Sequence, residues 1–247
     1  MKPVLKISLA ANILLLALLC WVIFREKYPQ RTYNALTATN KKETGRMTYS
    51  FNRDQLFEAL PKDSNAIIFL GNSLTCNFEL AELFHNADIK NRGINGDITP
   101  GVLQRLKPIV ACRPKKIFIE IGINDILMKL DQDSILKNYI AILETFKAQC
   151  PRSKVYIQGI LPVSTANLSS AGFDQGKLNE EIRSVNARLS AYAAENQVVY
   201  IDLYTRFALN NGINPAYSTD GVHLSGAGYL LWASVLKPYM EINSAGK

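Results

Sequence analysis

Lys116-Ile117-Phe118-Ile119-Glu120-Ile121 runs directly into Gly122-Ile123-Asn124-Asp125, and this stretch decides the fold class. Its Ile and Phe residues point to both sides of an extended chain, so it reads as a strand buried on two faces. Such strands belong to parallel sheets covered by helices. Ala66 to Leu70, Lys154 to Ile160 and Val198 to Leu203 share its character, and a weaker strand is expected to end near Asn91. Between these runs, Asn77 to Phe84, Pro100 to Ala111, Ser134 to Gln149, Gln175 to Asn196 and Ser225 to Met240 read as helices. Thr99 ahead of Pro100 supplies an N-cap with proline at the first helical position, and Ser225 is placed to cap the last helix. Strand and helix alternate throughout, which predicts an α/β fold: a three-layer α/β/α sandwich on a mainly parallel five-stranded sheet.

The chain has 247 residues, enough for one well-buried domain and an appendage. With 48% hydrophobic and 20% charged residues, it has the composition of a folded globular protein. The formal charge of +7 is concentrated at one end. Residues 1–50 hold eight of the 28 Lys/Arg and two of the 21 Asp/Glu, leaving 20 basic against 19 acidic residues in 51–247. The domain is nearly neutral, so the basic footprint of a nucleic-acid binder is missing and no nucleic-acid partner is expected.

From Ile7 to Phe24, 18 residues include only Ser8, Asn12 and Cys20 as polar members. At a helical rise they span roughly 27 Å, close to a bilayer core. No A-x-A cleavage pattern follows, so residues 1–25 read as an uncleaved signal anchor, with cleavage and secretion as the alternative. Leu19 ahead of Cys20 is bulky where a lipoprotein site needs a small residue. Lys2 and Lys6 before the segment are matched by Arg25, Lys27 and Arg31 after it, so charge alone leaves orientation open. A very short N-terminal tail usually stays cytoplasmic, which would put the domain on the periplasmic or extracellular side. Residues 26–50 are polar and weakly patterned, and read as a tether; the domain is expected to span 51–247. Cys76, Cys112 and Cys150 show no metal-ligand spacing. Cys112 and Cys150 are each expected at the sheet's amino-terminal edge, as buried thiols or, in an exported domain, as a disulfide.

The chemistry-bearing blocks follow the strands. Gly71-Asn72-Ser73 places a serine where a helix begins; alone, Ser73 reads first as an N-cap. Asn91-Arg92-Gly93-Ile94-Asn95-Gly96-Asp97 holds two glycines that permit tight turns. In Gly122-Ile123-Asn124-Asp125, Asn124 can offer a side-chain N–H₂ to a developing oxyanion, while Asp125 is expected to cap the next helix. Asp220-Gly221-Val222-His223 sets a carboxylate three residues before a histidine, a spacing that can orient an imidazole toward a serine. His85 has no patterned partner and reads as a surface residue.

Four such blocks in this order, spread from Ala66 to Met240, resemble the SGNH (GDSL-type) hydrolase family. The resemblance implies the flavodoxin-like SGNH form of the sheet. It implies a nucleophile at Ser73, completed as a triad by Asp220 and His223. It implies oxyanion donors at Ser73 and Gly96 (backbone) and Asn124 (side chain), with Gly93 the rival for the glycine role. Asn72 departs from the family, which usually has aspartate there. The implied activity is hydrolysis of acyl esters through an acyl-enzyme, without metal or organic cofactor. The expected substrates are small O-acetyl esters on carbohydrate, with a lysophospholipase or thioesterase as the alternative and an inactive glycan-binding module as a further one. Leu161, Pro162, Val163, Leu168 and Phe173 are candidates to line an acyl pocket, or else to pack their own loop.

Overall fold

A computed structural model of the chain describes residues 52–165 and 172–240. The expected signal anchor, the tether and Leu168 lie outside the described residues. Among the described residues no helix is long and apolar enough to cross a membrane.

Five strands form one parallel sheet: β1 (Ile67–Gly71), β2 (Ile89–Gly93), β3 (Lys116–Glu120), β4 (Lys154–Gln158) and β5 (Val199–Ile201), in the order β2-β1-β3-β4-β5. This is the flavodoxin-like order, whose switch point lies between the first and third strands. Every residue of β1 and of β3 is buried, the two-faced burial that their unbroken apolar runs imply. In register across the sheet, Phe69 stacks on Phe118 with ring centroids 4.6 Å apart, and Phe118 on Tyr156 at 4.4 Å. These cross-strand rings form one covered face.

In chain order the helices are α1 (52–59), α2 (Ser73–Cys76), α3 (Leu80–Leu83), α4 (Thr99–Gln104), α5 (Lys107–Cys112), α6 (Ile123–Leu127), α7 (Gln132–Gln149), α8 (Gln175–Glu195), α9 (Tyr204–Phe207) and α10 (Gly226–Met240). Helix α10 covers the aromatic face. Its fully buried Trp232 donates Nε1–H to Gln158 Oε1 at 2.8 Å, and its Tyr239 meets Tyr156 edge-on. Helix α7 starts at Gln132 rather than Ser134, because Asp131 is its cap and accepts from Ser134 N at 2.8 Å.

Two expected helices are broken. Pro108 has no N–H to continue the ladder, so Pro100 to Ala111 divides into α4 and α5 at Arg105 and Leu106. The stretch from Asn77 to Phe84 keeps only α3, since Asn77 closes α2 instead. A short antiparallel pair, β6 (Ala208–Leu209) and β7 (Gly212–Ile213), and a 3₁₀ turn at Pro215–Tyr217 extend the path between β5 and α10. The last block therefore does not directly follow a strand of the main sheet. Cys112 and Cys150 are buried free thiols whose Sγ–H groups point to the carbonyls of Pro108 and Val110, so the disulfide is not formed.

Candidate functional site

β1, β2 and β3 end side by side, with Gly71 paired to both Gly93 and Glu120. The loops that leave these three ends carry three of the four blocks. Asn72 turns the chain out of β1 and caps α2 with its own side chain, Oδ1 accepting from Leu74 N at 2.8 Å. A carboxylate oxygen would accept the same bond, so the departure from aspartate leaves the cap intact. Ser73 then begins α2, half-buried, while Leu74 and Thr75 behind it are buried. A second element braces this four-residue helix, for the Tyr229 hydroxyl of α10 donates to Leu74 O at 3.1 Å.

His223 approaches from the segment before α10, and its Nε2 lies 3.1 Å from Ser73 Oγ. Its Nδ1 lies 2.7 Å from Asp220 Oδ2. With the proton on Nδ1 donated to Asp220, Nε2 is left to accept from the serine hydroxyl. The turn between them is built by Asp220 itself, whose Oδ1 accepts from the backbone N–H of Val222 (2.9 Å) and of His223 (2.7 Å). Ser218 secures the turn from behind: its Oγ accepts from Gly221 N and donates to His223 O, both at 2.8 Å. Burial alone would raise the Asp220 carboxyl. The hydrogen bonds from the His223 side chain and from the His223 and Val222 backbone outweigh that and hold it below the usual carboxylate range. The site is open, with the His223 side chain 42% exposed and that of Asp220 46%.

Gly96 and Asn124 meet through Asp97. Ile94 to Asp97 form a turn closed by Asp97 N–H to Ile94 O, with Gly96 at φ 74° in the third position, where a side chain would be strained. Asn124 Nδ2 donates to Asp97 O at 2.8 Å, which fixes the amide beside that turn. Gly93 belongs to β2, where a Cβ would come within 2.3 Å of Cys76 N. It is a close-approach glycine behind α2.

Three polar features take roles that sequence order does not show. Asp97 is a half-buried acid paired to Arg105 at 2.7 Å, and Arg105 also donates to Gly71 O, tying this loop to the end of β1. Burial raises the Asp97 carboxyl despite the opposing pull of Arg105. Asp125 does not cap the following helix. Its carboxylate accepts from Thr99 N and Thr99 Oγ1 (2.6 Å for the latter), so it caps α4 from a neighbouring loop while Thr99, the expected cap, makes no capping bond of its own. Glu120, at the end of β3, is wholly buried. Neither of its oxygens has a hydrogen-bond partner among the described residues, and burial pushes its carboxyl up to about 8. Leu161 and Val163 are core residues rather than pocket walls, and Pro162 is buried with them. Phe173 is half-buried and carries Lys129 Nζ 5.9 Å over its ring. His85 is exposed, as expected. No group of three or more His, Cys, Asp or Glu among the described residues is placed to hold a metal ion.

A family model described as GDSL-like lipase/acylhydrolase matches residues 69–231. The chain is similar to platelet-activating factor acetylhydrolase IB subunit alpha2 of Rattus norvegicus, 26% identical over 188 residues, which cover 71% of this chain and 75% of that protein. It is similar to subunit alpha1 of Bos taurus, 29% identical over 183 residues, covering 70% and 74%. A solved GDSL-like lipase of Bacteroides thetaiotaomicron superposes with a TM-score of 0.68 at 25% identity, covering 77% of this chain and 96% of that one.

Proposed function

The chain belongs to the GDSL-like lipase/acylhydrolase family, and from that premise we propose that it is a serine esterase in which Ser73, His223 and Asp220 form the catalytic triad. The observation that carries this reading is the unbroken line of hydrogen bonds from Ser73 Oγ through the imidazole to Asp220. His223 Nε2 takes the hydroxyl proton as Oγ bonds to the ester carbonyl carbon, and Asp220 holds the imidazolium that forms. Collapse of the tetrahedral species breaks the bond to the leaving alkoxide, which takes the proton from Nε2. Water then repeats the sequence on the acyl-enzyme, releasing the acid and restoring Ser73.

The oxyanion is held by the backbone N–H groups of Ser73 and Gly96 and by the amide of Asn124. One Asn124 N–H is occupied by Asp97 O, which aims the second. Each such donor is worth on the order of 3 kcal/mol of barrier. The substrates are small acyl esters, foremost O-acetyl groups on carbohydrate. Two observations support this: Leu161 and Val163 close into the core instead of opening an acyl groove, and the exposed His223 and Asp220 leave room for a bulky alcohol portion. The relatives named as acetylhydrolases agree in acyl size.

The test has two arms. Ser73→Ala and His223→Ala are each expected to abolish nearly all hydrolysis of p-nitrophenyl acetate in a folded protein, and turnover like that of the wild type in either ends the triad assignment. Across p-nitrophenyl esters, kcat/KM is expected to fall from acetyl to octanoyl, with activity on an O-acetylated glycan. A rise toward long chains replaces the substrate with a lipid-type ester.

A further inference from the structure

Opposite the ends that carry Ser73, the amino-terminal edge of the sheet holds three depressions of about 800, 640 and 230 Å³. They share lining residues, the first and third around Cys150 to Ser153 and the second and third at Arg113 and Gln149, so they form one continuous surface. Six exposed cations line it: Lys62, Arg113, Lys115, Lys147, Arg152 and Lys154. No Asp or Glu does. In a domain with 20 basic and 19 acidic residues, this is a segregated distribution. Among the described residues only Lys147 of the six has a carboxylate within 4 Å, Glu144 at 3.8 Å on the rim. The cations come from the segment before β1, the α5–β3 turn, the end of α7, the α7–β4 turn and the first residue of β4. They are spread over an edge rather than converged on a point, which suits an extended array of charges better than a single small anion. Tyr192 and Tyr239, both half-buried, lie among them in the first depression, the amphipathic ring type that favours a bilayer interface.

We propose that this edge is a docking surface for the anionic headgroups of a lipid bilayer. The chain that precedes the described residues points to the same partner. It contains the apolar run Ile7 to Phe24 and eight Lys/Arg within residues 1–50. A hydrophobic segment and a basic surface together give firmer membrane attachment than either alone. Docked by its basic edge, the domain holds the carboxyl ends of its strands toward the solvent, where a soluble acylated substrate reaches Ser73. Each Lys or Arg held near an anionic surface adds roughly fivefold to the binding constant, and salt screens that gain.

The experiment is lysine footprinting of the full chain by amine acetylation and mass spectrometry, with vesicles of phosphatidylcholine alone or mixed with phosphatidylglycerol. Phosphatidylglycerol is expected to slow labelling of Lys62, Lys115, Lys147 and Lys154 severalfold relative to Lys137 and Lys177. High salt is expected to erase that protection. In the triple variant Lys115→Gln/Arg152→Gln/Lys154→Gln, binding through this edge should weaken on the order of 10²-fold, so Lys62 and Lys147 lose their protection while ester hydrolysis is unchanged. Equal labelling on both vesicles overturns the proposal. Protection by a soluble anionic polysaccharide but not by vesicles also overturns it and reassigns the edge to a polyanionic glycan.

Discussion

Asn124 has one N–H committed to Asp97 O, and that bond fixes the amide in the pose that the proposed oxyanion role requires. Removing the amide takes away an interaction made mainly in the transition state. Asn124→Ala is therefore expected to lower kcat by roughly 10²–10³ with little change in KM. Michaelis kinetics on a short-chain ester check this, and a change confined to KM makes Asn124 a ground-state binding residue instead. Single residues of this kind are legible because their roles are local: Asp220 reaches His223 through a turn of its own making, and the spacing D-x-x-H records that turn. Asp125 shows where such reading stops. Its acceptor role follows a helix-cap pattern, but the helix it caps is α4, whose Thr99 lies 26 residues earlier in the chain, and only the fold brings the two together. Glu120 is hidden for a similar reason, since a carboxylate at the end of an apolar strand reads as the place where the strand meets water.

Between elements, the position of Ser73, the proposed nucleophile, depends on how a helix of one turn is held. On one side Tyr229 of α10 donates to Leu74 O, and on the other Gly93 of β2 brings backbone to within a Cβ's reach of Cys76. Gly93→Ala forces a methyl against Cys76 N and Cys76 Cα, both backbone atoms, so α2 has to move. The expected cost is about 1–3 kcal/mol of stability, together with a drop in kcat as Ser73 leaves the reach of His223. Thermal denaturation and kinetics check both, and a variant with unaltered kcat shows that α2 has slack. Tyr229→Phe removes only the hydroxyl brace. A fall in kcat of roughly tenfold at near-constant KM is expected, because the ring packing against Phe78 and Trp232 remains. An unchanged kcat would make the hydroxyl a structural bond alone. At this scale the long elements were readable from their apolar periodicity and the short ones were not. β6 and β7 have two residues each, too few to show alternation, and their signature is the pair Asn210-Asn211, both at positive φ in the manner of a two-residue hairpin turn. Proline at 108 carried the break between α4 and α5, a signal that the amphipathic pattern across it masks.

The response of the whole domain to pH turns on Glu120. Its carboxyl is fully buried at the end of β3, with no hydrogen bond to either oxygen among the described residues. Burial raises its folded value from 4.5 to about 8. In the unfolded chain the group loses its proton near pH 4.5, while in the folded domain it keeps it to about pH 8. Between those limits the folded state binds more protons, so stability falls as pH rises, by on the order of 5 kcal/mol in total, and the slope levels off above pH 8. Asp97 and Asp125, also raised by burial, act in the same sense, and Asp220, held low, acts in the opposite one. All three are unchanged when Glu120 alone is replaced, so they cancel in a comparison. Glu120→Gln keeps the volume and stays neutral at every pH. The variant is therefore expected to gain on the wild type as pH rises from 5 to 8, the gap in Tm widening by on the order of 10 °C, whatever the offset between the two at pH 5. Denaturation curves for both proteins at half-unit steps check this. Parallel curves would mean that Glu120 is ionised in the folded domain at neutral pH and that the core tolerates its charge.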